Sequence, residues 1–106
     1  MKREWYQRFG LDREHADALV EFARGYLHED VLAEHGSGVA AAAAFAKESS
    51  FREQAQVAVA LDILALGAED HPPARLARLF TRALRCSWAP SSADELSAMA
   101  EAIRNQ

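Results

Sequence analysis

From Val57 to Leu66 the chain carries one charged residue, Asp62, in an otherwise apolar run. Ser49 or Ser50 stands at the right place to cap a helix that begins at Phe51, and Gly67 offers a stop. A surface helix keeps a polar face, whereas this one is apolar almost all round over its second half. A helix of that kind belongs in the middle of a bundle, covered by other helices. Alanine is the commonest residue, the best helix former and a poor strand former, so the rest of the chain points the same way.

The spacing predicts four more main helices and a short leading one at Arg3–Phe9. Asp12 caps the first long helix, near Arg13 to Leu27, through the free amides of its first turn. Its stripe is Ala16, Leu19, Val20, Ala23, Tyr26 and Leu27, with Asp17, Glu21 and Arg24 on the other side. Ser37 caps a second through Val39–Lys47. Pro72 and Pro73 open a fourth that runs to about Arg85, where a missing amide proton costs little. There Leu76, Leu79, Phe80 and Ala83 face inward, and Arg75, Arg78, Arg82 and Arg85 line the outside. A capping box, Ser91 with Asp94 or Ser92 with Glu95, starts the last helix, which ends near Arg104. Leu96, Met99, Ala100 and Ile103 form its inner face. The expected fold is all-α, a compact bundle of five to six short helices around a central apolar one.

At 106 residues the expectation is one domain, 1–106. Twelve basic and 16 acidic side chains leave a net charge of −4, the wrong sign for a protein that mainly holds nucleic acid. The single cysteine excludes an internal disulfide and a four-cysteine zinc site; Cys86 reads as a small buried filler. Lys2 and Arg3 are followed by Glu4, Trp5 and Tyr6 rather than by a signal-peptide core. Neither Val39–Ala46 nor Val57–Leu66 approaches the roughly 20 residues of a spanning helix. The expected location is the cytoplasm, with no membrane partner.

Few residues suggest chemistry. His28, Glu29, Asp30, Glu34 and His35 form a metal-like cluster, but the zinc-protease spacing needs a second histidine where Leu32 stands. Solvated acids at a helix end are the simpler reading. Asp62 has no second carboxylate, nucleophile or histidine at a fixed spacing, so an ion pair with an arginine, or a cap, outweighs a catalytic acid. The arginine row has no interleaved aromatics that could stack bases. No phosphate loop, dinucleotide fingerprint or nucleophile elbow is present. The acids, by contrast, are concentrated. Asp12, Glu14, Asp17, Glu21, Glu29, Asp30 and Glu34 face only Arg13 and Arg24 in that stretch, a local charge of −5. Such a face is ordinary solubilising surface or a dock for a basic partner.

Two short segments carry a family resemblance. Tyr26-Leu27-His28-Glu29-Asp30-Val31 resembles the Tyr-Phe-His-Gln-Asp-aromatic signature that closes the first long helix in small immunity proteins of bacterial contact-dependent growth inhibition systems. Leu84-Arg85-Cys86-Ser87-Trp88-Ala89-Pro90 is similar to that family's Leu-Gly-Cys-aromatic-aromatic-x-Pro segment before a final helix. Val31, Arg85 and Ser87 depart from the pattern, and Asp62 falls where the family often has an acid in its central helix. The resemblance spans about Asp12 to Arg104.

It implies a cytoplasmic protein with no catalysis and no cofactor or metal. Such a protein binds the toxic C-terminal domain delivered by a neighbouring cell, often a nuclease with a basic surface, and blocks it. Tyr26, His28, Asp30, Asp62, Trp88 and Pro90 are then structural motif residues, and Asp17, Glu21, Glu29, Asp30 and Glu34 are the candidate partner-binding acids. The alternative is a small helical adaptor or regulator that binds nucleic acid through the arginine row, or another protein; direct nucleic-acid binding is the less favoured on charge.

Overall fold

The computed structural model describes residues 5–27, 36–67, 73–86 and 88–105. Among them the architecture is all-α. A 3₁₀ turn, Trp5–Phe9, leads into α1 (Arg13–Tyr26); α2 is Gly38–Glu48, α3 Phe51–Leu66, α4 Pro73–Arg78 and α5 Ala93–Arg104. No strand occurs among the described residues.

The helix starts follow from short polar side chains. Asp12 accepts the His15 amide at 2.8 Å, and Ser37 accepts that of Ala40 at 3.0 Å. Of the two serines before α3, Ser50 is the cap. It closes a reciprocal box in which the Glu53 amide donates to Ser50 Oγ and the Ser50 amide donates to the Glu53 carboxylate. Those bonds, from the Ser50 side chain and then its backbone, hold the Glu53 carboxyl below its ordinary range. Ser92 caps α5, but the carboxylate of Glu95 returns to the amide of Ser91, one residue earlier than a strict box.

Helix ends depart from the sequence reading in two places. Gly67 does end α3, yet its φ of −78° is right-handed, so its glycine freedom is unused. The fourth helix, expected to run evenly to Arg85, is α-helical only to Arg78 and widens to a π turn over Leu79–Ala83. The Leu84 amide there reaches back five residues to the Leu79 carbonyl, at 3.0 Å. Thr81 lies in this stretch, and its hydroxyl donates to the Ala77 carbonyl, a side-chain bond that competes with the regular ladder. The wide turn interrupts the even spacing on which the row of Arg75, Arg78, Arg82 and Arg85 rests, yet all four stay exposed.

The core is wholly apolar among the described residues. α3 packs against α5 on one side and α1 on the other, and α2 lies on α5 and α1. The alanines of α2 give that helix its place: Ala41, Ala42 and Ala46 are buried beside Phe45, and their small side chains let the backbones approach closely. Phe22, absent from the stripe expected for α1, is fully buried there, whereas Val20 and Tyr26 are only half-buried. Leu76, Leu79 and Phe80 face in as expected. Asp62 is not buried in the middle of the bundle. It lies on the outer side of α3, half-exposed, with a carboxylate oxygen 2.5 Å from the Arg104 guanidinium. Thus α3 is central by its inner face only. Among the described residues no helix is long and apolar enough to cross a membrane.

Candidate docking face

Asp17 and Glu21 are one helical turn apart, so they project from the same side of α1, away from Leu19, Phe22 and Ala23. Both are exposed, and neither forms an ion pair with another described residue. They border a cleft of about 430 Å³ between α1 and α3. Its floor is apolar, from Ala18, Phe45 and Val57. Its rim is polar: Glu14 extends the α1 acids at the helical spacing, and α3 adds Glu53, Arg52 and Gln56. Arg52 donates to Glu14 at 3.1 Å, and the Gln56 amide donates to the same carboxylate oxygen. The one cation of the rim therefore already has a carboxylate partner, and the surplus acid is left to Asp17, Glu21 and Glu53.

Glu14 and Glu53 are not among the candidate partner-binding acids that the sequence suggests. The positions 14, 17 and 21 share a helix face by spacing alone, which is the signal that could have found Glu14. Nothing local could have placed Glu53 opposite them, since the α1–α3 packing brings it there. Glu29, Asp30 and Glu34, the other candidate acids, lie outside the described residues, as do His28 and His35 of the metal-like cluster. Among the described residues no three metal-ligating side chains converge.

The motif residues that are described serve the scaffold. Tyr26 stacks on Phe22 at 6.0 Å and meets Phe45 edge-on at 5.5 Å. Burial, and then the bond to Glu48, raises its phenol above the ordinary range. Trp88 stands edge-on to Phe80 at 5.2 Å and covers Gly38, the first residue of α2. Pro90 is half-buried beside it in the chain. Asp62 is tied to Arg104. Cys86 is buried, and burial pushes its thiol up to about 11, which leaves it unreactive at neutral pH.

Arg85 has a φ of +54°, in the left-handed region that favours glycine. A β-carbon there costs about 1–2 kcal/mol, partly offset by the greater freedom of glycine in the unfolded chain. Arg85→Gly should therefore stabilise the protein by about 0.5–1 kcal/mol. The check is urea unfolding, read as a higher midpoint at unchanged slope. Arg75, Arg78 and Arg82 are exposed on the opposite flank of the same segment from Leu76, Leu79 and Phe80.

No protein-family model matches this chain, and neither a curated protein nor a solved structure matches it.

Proposed function

We propose that this protein is a cytoplasmic immunity protein that binds, one to one, the toxic C-terminal domain of a contact-dependent growth inhibition system and blocks it without catalysis. The observation that carries the proposal is the acid-rimmed cleft between α1 and α3. Asp17 and Glu21 stand exposed there over an apolar floor, without an ion-pair partner among the described residues. The motif residues Tyr26, Asp62 and Trp88, meanwhile, are engaged in holding the fold. A nuclease presents a basic surface to its nucleic acid. An acidic face of this kind competes for that surface, and long-range attraction speeds the encounter. Glu29, Asp30 and Glu34, outside the described residues, add acidic charge to the same stretch of sequence.

The test is co-purification with the toxin domain encoded immediately upstream, followed by titration calorimetry and a growth assay. A tight equimolar complex and restored growth are expected. Asp17→Lys combined with Glu21→Lys should slow association by about tenfold to a hundredfold and flatten its salt dependence, with dissociation changed less. Stopped-flow mixing at several ionic strengths reads this directly. If the double variant associates at the unaltered rate, α1 is not the docking face. If the wild-type chain does not bind, the proposal fails, and duplex DNA or RNA becomes the next ligand to titrate against the exposed arginines of α4.

A further inference from the structure

The outer face of α3 is the one large apolar surface that the fold leaves open among the described residues. Phe51 is 86% exposed, Leu66 80% and Val59 36%. With Ala55 and Asp62 they follow one another at three- and four-residue steps, so they form a single stripe along the helix. The buried residues Val57, Ala60, Leu61 and Leu64 occupy the opposite side. Solvent-facing helix surfaces are ordinarily polar, and three large apolar side chains along one exposed face, interrupted only by Asp62, mark an interaction site.

The order of side chains in the stripe is symmetric about the middle of the helix. A second copy laid antiparallel, with a two-fold axis at the midpoint of α3, sets Phe51 against Leu66 of the other chain at both ends. Val59 falls beside the axis, and the small Ala55 lies against Asp62. Asp62 is already neutralised by Arg104 of its own chain, so this arrangement brings no unpaired charge into the contact. The shallow groove where α3 meets the end of α5, bounded by Phe51, Ala55, Val59 and Ile103, gives the partner helix a seat. Fully covered, the exposed apolar side chains of two copies amount to on the order of 800 Å², the low end of interface sizes, which fits a weak dimer.

We infer that the α3 stripe is a self-complementary interface through which two copies of this chain form an antiparallel two-fold dimer. Such a dimer does not depend on the toxin proposed above, since the stripe and the acidic cleft involve different faces of α3. Sedimentation equilibrium from about 5 to about 500 µM tests it, and a micromolar dissociation constant is expected for an interface of this size. Phe51→Glu places a charge against Leu66 of the partner and should weaken the dimer at least tenfold; Leu66→Glu should do the same from the other end. Both side chains are exposed, so circular dichroism should show an unchanged helical fold. Val59→Cys should cross-link to its own copy with a short bismaleimide, because Cys86 is buried and unreactive. A monomer at every concentration overturns the inference and leaves the stripe to a different protein. A dimer that neither glutamate variant weakens overturns it as well, since it would assemble through another face.

Discussion

Phe22→Ala is expected to lower the unfolding free energy by about 4 kcal/mol, a large part of the roughly 5–15 kcal/mol that a domain of this size has. The ring is 1% exposed and sits where α1 meets α2. It touches Phe45 edge-on at 5.0 Å and carries Tyr26 stacked at 6.0 Å. Removing it takes away the buried area of the ring and leaves a cavity that α-helices on both sides cannot easily close. It also removes the surface on which Tyr26 rests. The measurement is urea unfolding followed by circular dichroism. Phe22→Leu, which keeps most of the volume, should cost less than half as much. Equal losses in the two variants would mean that the ring contributes by its aromatic contacts rather than by filling space. A loss below about 1 kcal/mol for alanine would remove Phe22 from the core altogether.

Phe22 also marks where sequence and structure part. The regular stripe of α1 gives Leu19, Ala23 and Leu27 correctly, because a helix buries residues at steps of three and four. It passes over Phe22, although Phe22 stands three residues after Leu19 and four before Tyr26 and so falls on the same face; only its partner Phe45, 23 positions away, lies beyond local periodicity. The caps Asp12 and Ser37 were legible outright, and Ser50 and Ser92 each as one of two adjacent serines, because a cap acts within one turn. The π turn at Leu79–Ala83 was not, since its residues individually suit an α-helix. In the candidate site, Asp17 and Glu21 could be placed on one exposed face from spacing alone. The cleft beneath them and the contribution of Glu53 come from how α1 packs on α3, which no window along the chain contains. Asp62 illustrates both sides: its need for a partner, an arginine or a cap, was legible, but Arg104 as that partner and the outward position were set by the packing of α3 on α5.

Trp88→Ala should cost about 3 kcal/mol, and its interaction with Gly38 distinguishes a wedge from a mere cover. A β-carbon added at Gly38 would lie 2.7 Å from Trp88 Cζ2 and 3.2 Å from Met99 Sδ. The first distance is below any tolerable contact with a rigid indole, whereas the methionine can turn aside. Gly38→Ala alone is therefore expected to destabilise by about 1–3 kcal/mol through overpacking at the start of α2. In the Trp88→Ala background the added methyl has room, and alanine is the better helix residue, so the second substitution should be neutral or slightly stabilising. The cycle should yield a coupling of about 1–3 kcal/mol, read from four unfolding curves. Additive losses would show that the indole does not rest on Gly38 in solution. Strong coupling would assign Trp88 a definite role in this chain: it closes the segment between α4 and α5 over the first turn of α2. Any loss of binding to the proposed partner in Trp88→Ala should then track its loss of folded protein.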